Sequence, residues 1–144
     1  MLSKYYRLRV INGTDQTLTY DSGARVSVIM SPWKFTSGAM AYGSDITDTA
    51  FLAGEGSIIA TAEAEGTVQD NTTNLYIGVK GIFEVTADVT STDGDVTLYL
   101  EESPDNTNWA SDQADFDISD LRVVAVLTMS TDSVDESRAI NFEF

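Results

Sequence analysis

The chain has 144 residues, 42% of them hydrophobic and 10% aromatic, and its 23 acidic residues against 8 basic ones give a formal net charge of −15. This length suits one buried core, and the aromatic content argues against disorder, so we expect a single domain over residues 1–144. The chain contains no Cys and no His, which excludes thiolate nucleophiles, histidine general bases, disulfides and the usual zinc and copper sites; we therefore predict that it is not an enzyme.

The charge is distributed unevenly along the chain. Residues 81–121 carry eleven acidic side chains and no basic one, whereas residues 1–34 carry five basic against two acidic side chains. We expect the basic part of one copy to pack head to tail against the acidic loops of the next, so a homo-oligomer is the predicted state. The acidic surface would repel phosphate backbones and anionic lipid, so neither a nucleic acid nor a membrane is an expected partner.

Alternating hydrophobicity predicts the first strand at residues 4–11. Tyr6 and Leu8 would face the core, while Tyr5, Arg7 and Arg9 would form an outer face that is basic and partly aromatic. We expect this outer face to contact other copies. Residues 25–30 predict a second short strand, and a separate N-terminal arm or hairpin over residues 1–36 stays an alternative.

The middle of the chain, residues 37–74, is rich in Gly, Ala, Ser and Thr and has weak periodicity. This composition indicates connecting loops with one or two short strands. The alternative is a long functional loop that reaches a neighbouring subunit.

The C-terminal half has the clearest strand patterns. Alternating segments at residues 83–89 and 96–100 flank Asp93 and Gly94, a pair typical of a type I′ turn, and this predicts a β-hairpin. Residues 123–129 predict a buried strand, with a short helix from residue 119 as the alternative, and residues 140–144 predict a terminal strand inserted in the sheet. Together these patterns predict an all-β fold, an antiparallel β-sandwich or jelly roll with low helix content.

Four aspartates lie close together in one loop and are candidate calcium ligands: Asp112, Asp115, Asp117 and Asp120. Carboxylate oxygens are the ligands that calcium prefers, although this spacing does not match an EF-hand. A solvated acidic loop is the alternative. No other cofactor is expected.

Trp109 follows a turn-rich segment, residues 103–108, and so would lie near the end of a strand. An aromatic side chain in that position either contacts a ligand or partner, or covers the edge of the core. We keep Trp109 with Tyr5, Arg7 and Arg9 as the candidate interaction residues.

Three segments together resemble small β-sandwich structural proteins of tailed bacteriophage virions: VKGIFEV at residues 79–85, LYLEESPDNTNW at residues 98–109 and NFEF at residues 141–144. The resemblance covers roughly the C-terminal half and carries no site residues. It implies a multi-copy virion component assembled in the host cytoplasm, a capsid decoration or cement protein or a head, neck or tail accessory protein. Its partners would be copies of itself and other virion proteins. The alternative is a carbohydrate- or receptor-binding β-sandwich module that uses Trp109, with a glycan as partner.

Overall fold

The computed structural model of the chain describes residues 2–19, 25–49, 51, 57–58, 60–87, 92–131 and 136–144. The strands in these residues are β1 Tyr5–Thr14, β2 Leu18–Thr19, β3 Arg25–Thr36, β4 Ala39–Tyr42, β5 Ile46–Asp48, β6 Ser57–Ile58, β7 Glu63–Glu65, β8 Gln69–Asp70, β9 Gly78–Ala87, β10 Asp93–Ser103, β11 Arg122–Ser130 and β12 Glu136–Glu143. Two short 3-10 helices, Ala110–Asp112 and Ile118–Asp120, are the helices described in this part of the chain.

The strands form two antiparallel sheets that pack face to face. Sheet I has the order β11-β10-β1-β7, with β8 also paired to β1, and sheet II has the order β12-β9-β3-β4, with β5 also paired to β3. The short strands β2 and β6 pair with each other. The predicted antiparallel β-sandwich with low helix content is thereby confirmed.

The core lies between the sheets, and burial alternates along strands such as β10 and β11. In β10, for example, Val96, Leu98 and Leu100 are buried while Thr97 and Tyr99 are not fully buried. The same period of two is expected wherever one face of a strand packs on a partner sheet. The core residues contributed by the long strands of both sheets are Tyr6, Leu8, Val10, Val26, Val28, Met30, Val79, Phe83, Val85, Val96, Leu98, Leu100, Leu127, Met129 and Phe142.

The described part of the first 36 residues contributes two long strands to the sandwich. β1 is an inner strand of sheet I between β10 and β7, and β3 is an inner strand of sheet II between β9 and β4. The alternative of a separate N-terminal arm or hairpin over residues 1–36 is therefore wrong.

The hairpin expected around Asp93 and Gly94 is also wrong, although both of its strands exist. β9 lies in sheet II and β10 lies in sheet I, so the two strands do not pair with each other. Gly94 does have the positive φ of 121° that the turn prediction required, but it lies within β10, opposite Thr14. Strands with one apolar face can pack across a core as well as side by side, and local alternation does not distinguish the two arrangements.

The other strand predictions agree with the structure. Residues 123–129 fall within β11, not in a helix, and residues 140–143 fall within β12 at the edge of sheet II. Phe142 is buried, and Phe144 forms backbone hydrogen bonds with Val79 in both directions. Residues 37–74 contain all or part of five short strands, β4 to β8, which is more regular structure than predicted.

Candidate functional site

The outer face of sheet I carries a cluster of charged side chains built by the register of β1. Arg7 lies directly opposite Glu101 on β10, and Arg9 lies directly opposite Glu65 on β7. The Arg7 Nε donates to Glu101 Oε2 at 2.7 Å, and its Nη1 donates to Glu65 Oε2 at 2.6 Å. We call Arg7, Arg9, Glu63, Glu65 and Glu101 the ion cluster.

Arg9 is held by three carboxylates of the same cluster. Its Nη1 lies 2.6 Å from Glu65 Oε1 and 3.3 Å from Glu101 Oε2, and its Nη2 lies 2.9 Å from Glu63 Oε1. Arg9 is only 4% exposed, and its Nε is buried without a hydrogen-bond partner among the described residues. Buried charges of this kind require close counter-charges, and here the chain supplies them itself.

Residues 104–121, which we call the acidic loop, lie over the ion cluster. The Trp109 ring centroid is 4.4 Å from the Arg7 guanidinium carbon, and the Phe116 ring centroid is 5.8 Å from that of Arg9. Ser111 ties the loop to the sheet, because its Oγ accepts from Arg7 Nη2 at 2.9 Å. The predicted exposed basic face of β1 is therefore wrong: its arginines contact acidic residues of their own chain beneath a loop.

Glu101 joins the ion cluster to the acidic loop. Its side chain is 0% exposed, and its Oε1 accepts a hydrogen bond from the Ser111 backbone N–H at 2.8 Å. Burial alone would raise the pKa of Glu101, but hydrogen bonds from Ser111 and Arg7 and the Arg7 charge outweigh burial and hold its pKa below the ordinary value. Glu101 is therefore ionised near neutral pH and serves as an anchor, not as a proton donor.

The aspartates proposed as calcium ligands point their oxygens at the loop's own backbone. Asp112 Oδ2 accepts from the Trp109 N–H at 3.1 Å. Asp117 Oδ1 accepts from the Ser119 hydroxyl at 2.6 Å and from the Ser119 N–H at 2.8 Å, and these two hydrogen bonds lower the pKa of Asp117. Asp120 accepts from the Asp117 N–H at 3.4 Å, and Asp115 is exposed in the turn between the two short helices. Within the described ranges, no three acidic side chains come together to hold a metal ion.

The four predicted interaction residues differ in their exposure to solvent. Trp109 is 7% exposed because one side of its ring is stacked on Arg7, and Tyr5 is half-buried on the same face of β1. Of the two roles considered for Trp109, covering the sandwich is the one that this geometry fits.

Among the described residues, five of the exposed large apolar side chains lie on the outer face of sheet II. Ile29 on β3 is directly paired with Ile82 on β9, and Phe35 on β3 is directly paired with Met40 on β4. All four side chains are exposed, as is Tyr42 on β4, and Phe35 is the most exposed of the five at 60%. We call Ile29, Phe35, Met40, Tyr42 and Ile82 the apolar face.

The apolar face ends at the tip of the β3–β4 hairpin. Ser37 and Gly38 connect the strands with φ angles of 52° and 81°, the positive values that a type I′ turn requires. The Trp33 ring packs edge-on against Phe35 at 5.9 Å, which supports the exposed ring from below. The sequence contained a signal for this hairpin, a Ser-Gly pair between two alternating segments, but the Gly- and Ser-rich composition of residues 37–74 concealed it.

A few charged residues lie beside the apolar face. Asp45 accepts a hydrogen bond from the Ser31 hydroxyl, and Ser31 lies between Ile29 and Trp33 on the outer side of β3. Lys80, which lies next to Ile82 along the outer face of β9, has Glu143 at 3.8 Å on the neighbouring strand. Glu84 lies beyond Ile82 on the same strand. The ion cluster and the acidic loop both belong to the opposite side of the sandwich, so the two outer faces differ in chemical character.

Comparison with known protein families, characterised proteins and solved structures finds no match for this chain. In the part of the chain that the structure describes, no helix is long and apolar enough to cross a membrane.

Proposed function

We propose that this chain is a non-enzymatic structural protein that assembles through the apolar face, with a second copy of itself as the first partner. The observation that carries the proposal is the exposure of five large apolar side chains on one face of a sandwich whose other face is partly covered by its own loop. Several exposed apolar side chains on one face mark interaction sites more often than isolated exposed residues do.

Electrostatics favours this face for contact between copies. Two chains of charge −15 repel each other, and the repulsion is smallest where the fewest acidic groups approach. The apolar face meets that condition, whereas the acidic loop does not. A patch that meets its own copy forms a closed, two-fold pair.

The size of the apolar face implies that one contact is weak. Ile29 and Phe35 are six residues apart on β3, which corresponds to roughly 20 Å at about 3.3 Å per residue. The face covers three neighbouring strands, or about 10 Å in width before side chains are added. The resulting few hundred Å² is below the roughly 800 Å² per partner of a standard stable interface. Such a subunit would be stabilised by many contacts within a larger particle.

The resemblance to tailed-phage structural proteins extends the proposal to a virion, as a decoration, cement or accessory subunit. A sandwich of this kind would bring copies of itself together and contact other virion proteins. This part is tested by mass spectrometry of purified particles of the phage whose genome encodes the chain. Many copies per particle would support it, and absence of the chain from the particles would overturn it.

Light scattering tests the self-association over a concentration series from about 10 μM to about 1 mM, a range that covers weak contacts. We expect the mass to rise from 15.6 kDa toward twice that value. Phe35→Ser and Ile82→Thr should keep the chain monomeric. Val123→Thr and Val126→Thr are the matched controls, because these valines are exposed on sheet I and should have no effect.

Salt separates this proposal from the head-to-tail arrangement. Since the contact is apolar and the copies repel, raising the salt concentration should strengthen association, whereas contact between basic and acidic parts would weaken. A chain that stays monomeric throughout, or apolar-face variants that associate like the wild type, would overturn the proposal. The proposed function does not include glycan binding at Trp109, because the Trp109 ring is covered.

A further inference from the structure

A cleft of about 200 Å³ opens between the two sheets at one end of the sandwich. Sheet I contributes Tyr6 on β1 and Asp70 on β8, and sheet II contributes Pro32 on β3 and Ile46 on β5. The segment after β8 completes the wall with Tyr76 and other residues. At roughly 30 Å³ per water molecule, this space holds about six or seven waters.

Tyr6 is the notable member of this wall. Its side chain is 2% exposed, and its ring packs edge-on against Phe144 at a centroid distance of 6.3 Å. Its hydroxyl has no hydrogen-bond partner among the described residues. Among the described residues, the side-chain atoms that are fully buried and lack a hydrogen-bond partner are Arg9 Nε and the Trp33 indole nitrogen. The Tyr6 hydroxyl is not one of them, so it is not fully buried and keeps access to the cleft that Tyr6 lines. Burial, with Tyr76 adding to it, raises the pKa of Tyr6 to about 12, so the hydroxyl stays neutral and can both donate and accept.

The second tyrosine of the cleft is held in place by the loop that carries it. The Asn71 side chain accepts from the Tyr76 backbone N–H at 2.7 Å and donates to the Tyr76 carbonyl oxygen at 3.0 Å. Gly43 leaves room for the Tyr76 hydroxyl, because any side chain at position 43 would collide with it. The cleft is therefore formed without a ligand, as small-molecule sites usually are.

The lining favours a neutral ligand that has many hydroxyl groups. Tyrosine hydroxyls, the Ser44 hydroxyl and the Asn74 carboxamide offer donors and acceptors together, and Pro32 and Ile46 give the walls an apolar part. No Lys or Arg of the described residues lines the cleft. Lys34 lies beside two lining residues, but its ammonium donates to the Asn74 carbonyl oxygen at 2.7 Å, and Asp70 adds a negative charge, so an anion is disfavoured. An amine is less favoured than a polyol because Asp70 is exposed and its Oδ1 already accepts two hydrogen bonds from Thr72.

We propose that this cleft binds one sugar unit or a similar neutral polyhydroxyl compound, with the unpaired Tyr6 hydroxyl as a central contact. Its volume is below the range of roughly 300–1,000 Å³ that is usual for drug-sized ligands, and so suits a single small ring. The site is separate from the apolar face, and the inference does not depend on self-association.

NMR titration of the full-length chain tests the proposal with glucose, galactose, mannose and N-acetylglucosamine as probes. Each is added to about 50 mM, because a few neutral hydrogen bonds give affinities in the millimolar range. At least one sugar should shift the backbone amide signals of Gln69 and Tyr76, which lie in the cleft wall. Tyr6→Phe should weaken that binding about five- to tenfold. Tyr5→Phe is the matched control, since the neighbouring tyrosine lies on the opposite face of β1, and it should bind like the wild type.

Thermal unfolding of the same variants checks the state of the Tyr6 hydroxyl. Because the hydroxyl is unpaired, Tyr6→Phe should unfold at the wild-type temperature or above it. A clearly lower unfolding temperature would mean that the hydroxyl has a structural partner and would overturn the proposal. So would the absence of shifts with all four sugars, equal binding by Tyr6→Phe, or tighter binding of choline or phosphate in parallel titrations. Phe35→Ser should leave the sugar titration unchanged, which keeps this test independent of the assembly test.

Discussion

Glu101→Gln is the substitution that tests the ion cluster most directly. It keeps the size of the side chain but removes the charge that Arg7 Nε contacts at 2.7 Å and Arg9 Nη1 contacts at 3.3 Å. One oxygen remains to accept the Ser111 N–H, while the new NH₂ group would face arginine donors. The substitution therefore leaves buried positive charge with less compensation.

The expected cost follows from the remaining partners. Removing one member of a buried ion pair commonly costs about 3–5 kcal/mol. Here Glu63 and Glu65 still contact the arginines, and both are partly exposed, so the loss should lie at the lower end, about 3 kcal/mol. For a chain of this length, that change lowers the thermal midpoint by about 10 °C.

Urea unfolding followed by circular dichroism measures the free energy, and Glu102→Gln provides the control. Glu102 is the next residue on β10, is exposed, and accepts from the Ser3 N–H through an oxygen that glutamine retains. Its substitution should change stability by less than about 0.5 kcal/mol. If Glu101→Gln behaves like Glu102→Gln, the arginines obtain their compensation elsewhere and the account of the ion cluster is refuted.

Four further predictions follow from the structure. The pKa of Glu101 is lowered by folding from its ordinary value of 4.5, so its contribution to stability is present above that pH and is lost as the pH falls through the lower folded value. The urea midpoints of wild type and Glu101→Gln should therefore differ at neutral pH and converge as the pH is lowered below 4.5. Trp109→Ala should cost about 3 kcal/mol in urea unfolding, since it uncovers the Arg7 guanidinium; a cost below about 1 kcal/mol would contradict the stacked geometry. Deleting residues 142–144 should abolish cooperative unfolding, because Phe142 is buried and Phe144 stacks on it at 5.9 Å; a truncated chain with a wild-type thermal midpoint would contradict this. Millimolar calcium should leave the thermal midpoint unchanged, because the aspartates of the acidic loop already accept backbone hydrogen bonds, and a clear increase would restore the calcium hypothesis.

The strands were predictable from sequence because burial on one face imposes a period of two, and β1, β9, β10 and β11 all carry it. Their partners were not predictable, because pairing depends on contacts far apart in the chain. β1 and β10 pair along their whole length although Tyr5 and Ser103 are 98 residues apart. The Asp93-Gly94 pair correctly indicated a positive φ at Gly94, but it did not specify which strand would lie beside β10.

The role of the arginines illustrates the same limit at the level of side chains. The alternation of β1 placed Arg7 and Arg9 on the outer face, and that placement is correct. Whether an outer face contacts solvent depends on what crosses it, and the acidic loop crosses this one. A sequence signal existed on β7, where Glu63 and Glu65 flank Ala64 and so share one face that positive charge on a neighbouring strand can meet.

The ion cluster also bears on the proposed self-association. Head-to-tail contact requires two different complementary surfaces on one molecule, a basic one and an acidic one. The arginines expected to supply the basic surface are neutralised by glutamates of the same chain, so the acidic loop has no complementary surface from β1 to meet. The apolar face has no such requirement, because an apolar patch is complementary to itself, and a self-complementary patch closes into a pair instead of extending into a chain. A larger particle built from this subunit would then need a second contact, and the exposed acidic loops on the outer side of each pair would direct that contact toward a basic partner protein.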